Sequence, residues 1–319
     1  YAISQVYPVQ ASIQLIPPYS LKLNDYLVSG KENMIVNLLL SDLQQSSLEV
    51  KVVMKMNGPN LNLSTNRELL SEPIILFPGI PVRLTGSDLT NFLAPENLDI
   101  QGYDQNRFIQ SNGKLPEGFY RFEIEIVDYQ TGRTLAINAF TSAWLLLNDP
   151  PLIDLPKQNQ IVRATSPQYI NFQWTPRHQG SPNSAFNCQY IFELYEITPE
   201  NTDPGLIVQS TEPVFIHRTN QPFFLYGADA YPLIPGQKYA MRVKVEAKEI
   251  SYDLFRNDGN SEVRTFTYGV ACNAPKNMKE NDVTSNGCHL FCFIYIANYA
   301  YKIKLKKSNE HSAEWDSRT

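Results

Sequence analysis

Alternation of apolar and polar positions is the dominant pattern along this chain, and it predicts β-strands. In Tyr239-Ala-Met-Arg-Val-Lys-Val-Glu-Ala247, Tyr239, Met241, Val243, Val245 and Ala247 share one face, with Ala240, Arg242, Lys244 and Glu246 on the other. That is the period of two of a half-buried antiparallel strand. The stretch Phe119–Asp128 repeats it, with Tyr120, Phe122, Ile124 and Ile126 opposite Arg121, Glu123 and Glu125. Glu49–Met56, Ile170–Trp174, Tyr190–Ile197 and Ser261–Tyr268 read the same way. The turn Tyr129-Gln-Thr-Gly-Arg133 predicts a hairpin into one long strand from Thr134 to Leu147. Ser87–Leu93 reads instead as a short helix with Ser87 as its N-cap. Lying in alternating strands, Trp144 and Trp174 are both expected in cores.

The punctuation between strands divides the chain. Leu233-Ile-Pro-Gly-Gln-Lys-Tyr239 is echoed with one residue fewer by Leu115-Pro-Glu-Gly-Phe-Tyr120, and each leads into a long alternating strand, a turn and a final strand. This is an internal repeat of about 120 residues. Pro150-Pro151 marks a stiff boundary, since proline fixes φ and restrains its predecessor. At 319 residues the chain is too long for one β-sandwich of roughly 100 residues. The expected architecture is all-β, in tandem sandwiches: one over residues 1–149, a second over 150–270 and an incomplete third over 271–319. In the third, Leu290, Cys292 and Ile294 suit one strand and Tyr301–Leu305 another, after which no further proline-glycine-tyrosine corner follows.

Composition narrows the picture only modestly. Hydrophobic residues make up 43% and charged ones 18%, enough for real cores and unlike a disordered chain. The 27 basic and 32 acidic residues are interleaved and sum to −5, which argues against a nucleic-acid partner needing a basic face. No apolar run approaches the ~20 residues of a membrane helix, so no transmembrane segment is expected. Among Cys188, Cys272, Cys288 and Cys292, Cys188 reads as a lone buried thiol and Cys272 with Cys288 as a candidate bridge, a pairing that spacing alone leaves open.

No motif for catalysis, a cofactor or a metal emerges. There is no His-Glu-x-x-His, nucleophile elbow, phosphate loop or dinucleotide fingerprint. Glu123 and Glu125 sit on the polar side of a strand and read as a solvated face rather than a glycosidase pair. Cys288-His-Leu-Phe-Cys292 falls short of a zinc ligand set, and turn chemistry accounts for Asp253, Asp258 and Glu262 without calcium. The candidate contact for a ligand or partner is Gln221-Pro-Phe-Phe-Leu-Tyr226, where Phe223, Phe224 and Tyr226 next to a proline read as a loop platform, with burial as the competing account.

The Leu-x-Pro-Gly-x-x-Tyr entry ending at Tyr239, with Trp174 and Tyr190–Ile197 before it, resembles fibronectin type III domains over residues 152–269. That implies an immunoglobulin-like sandwich with a tyrosine corner. In the third region a cysteine, Cys292, stands where this family places its strand-B tryptophan. Ile16-Pro-Pro-Tyr-Ser-Leu-Lys-Leu-Asn-Asp-Tyr26, Trp144-Leu-Leu-Leu-Asn-Asp-Pro-Pro151 and Phe172-Gln-Trp-Thr-Pro-Arg-His178 resemble the amino-terminal part of TANFOR-domain proteins, exported proteins of Bacteroidetes. This resemblance implies a signal peptide lost before Tyr1, a periplasmic, cell-surface or secreted location, and a scaffold or adhesin-like role beside a protein partner in an envelope assembly. Because those proteins are usually longer, it also implies a truncated or excised chain. The alternative is a carbohydrate-binding or accessory segment of a larger secreted enzyme, with a glycan as ligand. No catalytic or ligand-binding residue carries over from either family, and a fold of this kind does not by itself assign a function.

Overall fold

The computed structural model describes residues 7–68, 71–248 and 253–269. The third region, with Cys272, Cys288 and Cys292, lies outside them. Contacts divide the described residues into two compact units: those up to 151 with 176–189 and 244–260, and residues 152–175 with 190–243 and 261–269. Among the described residues no helix is long and apolar enough to cross a membrane.

Two sheets form the first unit. The smaller runs β1 (Val9–Leu15), β2 (Met34–Leu40) and β6 (Pro81–Thr85). The larger is ordered β7 (Leu98–Gln101), β4 (Leu61–Thr65), β3 (Leu48–Gly58), β8 (Gly118–Asp128) and β9 (Ala139–Leu145), with β5 (Ile74–Leu76) also pairing with β3. Alternation decides what each buries: Val50, Val52, Met54 and Met56 of β3 and Tyr120, Phe122, Ile124 and Ile126 of β8 pack with Ile13, Val36 and Leu38 of the smaller sheet in one core.

The second unit also stacks two sheets. One is β10 (Leu152–Leu155), β12 (Ile170–Thr175) and β15 (Phe223–Tyr226); the other is β11 (Gln160–Val162), β17 (Arg264–Tyr268), β16 (Lys238–Ala247), β13 (Cys188–Glu196) and β14 (Phe215–Thr219). β10 with β12, β12 with β15, β13 with β14 and β16 with β17 are antiparallel, and β11 with β17 is parallel. This is a fibronectin type III-like sandwich, and its core is aromatic: the Phe172 ring lies 4.5 Å from Phe192, 5.3 Å from Phe224 and 5.7 Å from Phe266.

Both tyrosine corners form. Tyr239, fully buried, accepts at Oη from the Ile234 N–H at 2.8 Å. Tyr120, equally buried, donates from Oη to the Pro116 carbonyl at 2.8 Å. In both corners the phenol meets the residue that follows the leucine, and Pro116, which has no N–H, offers its carbonyl there. Tyr239→Phe therefore orphans the Ile234 donor and costs about 0.5–1.5 kcal/mol, a fall in the second unit's melting temperature that calorimetry reads.

Four local expectations change. The long strand from Thr134 shortens to β9: Thr134 makes only an isolated bridge to Val127, and the regular pairing with β8 starts at Ala139, opposite Ile124. The helix begins earlier than Ser87: a 3-10 turn over Gly86–Leu89 precedes α1 (Thr90–Leu93), and the Asp88 carboxylate accepts from the Thr85 N–H at 3.1 Å. Trp144 is half exposed rather than in the core. Glu125 is not on a solvated face: it is 9% exposed and paired with Lys55 at 3.0 Å and Arg67 at 2.6 Å.

Burial acts to raise the Glu125 pKa, but the Lys55 hydrogen bond and charge, the Arg67 charge and the Thr134 hydroxyl outweigh it and hold it below the ordinary value. A carboxyl depressed on folding contributes stability fully present above its unfolded pKa of about 4.3 and lost as the pH falls through the folded value. Melting followed from pH 7 downward should show the first unit losing this contribution below about pH 4. In Glu125→Gln that part of the acid sensitivity is absent.

Candidate interaction surface

The loop platform of the sequence reading is not formed. Phe223, Phe224 and Tyr226 belong to β15, whose register against β12 places Phe224 opposite Phe172 and Tyr226 opposite Ile170. Period two then sends Phe224 and Tyr226 inward, at 8% and 0% exposure, and leaves Phe223 and Leu225 outside. The Phe224 ring packs 4.4 Å from His217 and 4.9 Å from Phe192, and the Tyr226 hydroxyl donates to the Tyr231 carbonyl at 2.5 Å. Of the three candidates only Phe223 faces solvent.

A different aromatic group is exposed instead, on the outer face of β8 and β9. Phe119 of β8 stands directly opposite Trp144 of β9; their exposures are 49% and 50%, and their ring centroids lie 5.5 Å apart at 59°. Two residues along, the Arg121 guanidinium carbon sits 3.7 Å over the ring of Phe140, itself 56% exposed. Glu123 fixes this arrangement, accepting from Asn138 Nδ2 at 2.8 Å and pairing with Arg121 Nε at 3.4 Å. The resulting strip of two exposed aromatics, a stacked cation and a third aromatic lies on strands whose other faces carry the core.

The sequence hid this strip by its size ordering. In Ala139-Phe-Thr-Ser-Ala-Trp-Leu145 the inward positions include the small Ala143 beside Leu145, and the large Phe140 and Trp144 point out. Assigning the bulkier set to the core inverts the strand. The usable signal is the pairing with β8: Tyr120, whose corner fixes it inside, stands opposite Ala143.

Other chemical groups are engaged or subdued. His178 Nε2 lies 3.4 Å from the Cys188 sulfur, but burial pushes the thiol up to about 11 and lowers the pKa of His178, so the pair lacks the thiolate a nucleophile requires. Asp253 is bound to Lys22 at 2.8 Å. Asp149 meets Arg177 and, at 2.9 Å, Arg256, which also clasps Glu117 at 2.5 Å. Among the described residues no group of three or more His, Cys, Asp and Glu side chains is placed to hold a metal ion.

No family model matches this chain, and none of the curated proteins does. Among solved structures it is similar to native alpha-2-macroglobulin from Escherichia coli, in a crystal structure spanning the residues from domain MG7 to the C-terminus, at 14% identity and a TM-score of 0.24. The match covers 61% of this chain and 24% of that one. An overlap this slight carries no argument about function.

Proposed function

We propose that this chain is a non-enzymatic, exported scaffold or adhesin-like protein that works by binding a protein partner in an envelope or surface assembly. The observation that carries the reading is the strip of Phe119, Arg121, Phe140 and Trp144. Single exposed apolar residues are ordinary, but three exposed aromatics gathered with an arginine on one strand face suit an interaction site, and Trp, Tyr and Arg are the side chains that dominate binding energy at interfaces. The resemblance of Ile16–Tyr26 and the Trp144–Pro151 junction to TANFOR-domain proteins supports export.

A second reading, carbohydrate binding within a larger secreted enzyme, moves from the β15 aromatics to the Phe119–Trp144 pair. Exposed rings beside the polar Glu123, Asn138 and Ser142 suit the apolar face and hydroxyls of a sugar. One experiment separates the two. A photoreactive residue at Phe119 in the full chain should cross-link a defined envelope protein, with the cross-link lost in Trp144→Ala. Glycan-array binding abolished by Trp144→Ala, with no protein cross-link, would replace the first reading by the second.

A further inference from the structure

Beyond its aromatic face, β9 has an edge with which no strand pairs among the described residues. It ends the larger sheet of the first unit, and the direction of its peptide groups follows from the strand it leaves. The Asp128 N–H bonds the Arg133 carbonyl and the Leu135 N–H the Ile126 carbonyl, around the bridge of Val127 with Thr134. Even-numbered residues of β8 therefore turn their peptide groups toward β9, and the hydrogen-bonded pairs are Tyr120 with Ala143 and Phe122 with Thr141. The N–H and C=O groups of Phe140, Ser142 and Trp144 point the other way. Among the described residues, no strand pairs with that edge and no hydrogen bond reaches those groups.

Natural edges are usually blunted by charge, proline or brevity. Other edges here follow that rule: β6 contains Pro81 and Arg83, β14 His217 and Arg218, β7 Asp99 and β10 Asp154, while β11 and the uncharged β15 are only three and four residues long. Uncharged β1 gives its Val9 N–H to the Leu135 carbonyl. With seven residues, no charge and no proline, β9 lacks any such device.

We propose that this edge pairs with the β9 edge of a second copy of the chain, antiparallel across a two-fold axis at Ser142; the proposal rests on the reading of the β8–β9 strip as an interaction surface. The register is self-complementary. Ser142 faces the second copy's Ser142, and Phe140 faces its Trp144, so every outward N–H and C=O of these residues meets a partner. Along the outer face the rings run Phe119, Trp144, then the second copy's Phe140, giving the aromatic cross-strand pairs that stabilise sheets. No charge meets a like charge, because β9 has none and Arg121 and Glu123 are engaged with each other at 3.4 Å. Such an isologous contact closes at two copies. A sugar offers no row of peptide groups to this edge, and the strand of another protein is the outcome that the cross-linking arm of the test below separates from self-pairing.

Sedimentation of the full-length chain over a concentration series tests the proposal. The wild type should show a monomer–dimer equilibrium. Ser142→Lys sets a charge opposite its own copy and should weaken the dimer at least tenfold, as should Ser142→Asp. An equimolar mixture of the two variants should recover dimers, which also shows that each is folded; a proline at an outward edge position is tolerated by a strand, so Ser142→Pro gives a second, uncharged loss of pairing. A wild type monomeric at every concentration overturns the proposal, as does a dimer unaffected by Ser142→Lys. A monomer that still cross-links an envelope protein through Phe119 rejects self-pairing alone and leaves the interaction reading standing.

Discussion

Trp174→Ala should lower the stability of the second unit by about 3–5 kcal/mol, the range for emptying a large aromatic site in a packed core. Trp174 is 2% exposed, stands opposite Ile153 of β10, and packs its ring 5.5 Å from Tyr190 and 6.4 Å from Phe224. Those neighbours are held by their own strands, so collapse into the void is limited. The indole Nε1 is buried with no hydrogen-bond partner, which adds a distinguishing expectation. Trp174→Phe removes that orphaned donor along with part of the ring, so it should cost well under half as much as the alanine change. Urea unfolding followed by circular dichroism measures both. Equal losses for the two variants would show that the indole N–H contributes to stability after all.

Gly58→Ala should destabilise the first unit by about 1–3 kcal/mol or more, as overpacking does. In most places the change would be neutral or mildly stabilising, since alanine restricts the unfolded chain. Here a Cβ would lie 2.0 Å from Cε1 and 2.5 Å from Cδ1 of Tyr120, and neither side can yield. Tyr120 is fully buried and tied through Oη to Pro116 at 2.8 Å. Gly58 is tied across the β3–β4 turn to Leu61. The glycine is thus the space the first tyrosine corner occupies. Gly227→Ala, where nothing lies within 4 Å, is the control and should leave the melting temperature nearly unchanged.

The fold was legible because its strands are amphipathic and its corners carry a local signature. Alternation in Phe119–Asp128 and Tyr239–Ala247 reports burial directly, and proline, glycine and tyrosine at fixed spacing define a turn whose phenol must go inside. What failed depended on partners far away in sequence. Phe224 and Tyr226 face the core because β15 adds to β12, a pairing across about fifty residues that no local pattern near Pro222 announces. Trp144 faces out because β9 takes its phase from β8, and residue size pointed the opposite way. Glu125 is covered because Arg67 comes over the sheet from 58 residues away. Local composition shows which positions alternate, while tertiary pairing decides the phase.

The functional reading stands on Phe119, Phe140 and Trp144 being free in the isolated chain and covered in its assembly. Hydroxyl-radical footprinting of the full chain, dilute and purified and again in its native envelope fraction, reads both states at once. These three side chains should oxidise readily in the dilute protein and be protected at least several-fold in the assembly, while Phe224 and Tyr226 stay unreactive in both. Equal oxidation of Trp144 in the two samples, or a Trp144 already protected in the dilute chain, would contradict the assignment of this strip as the binding surface.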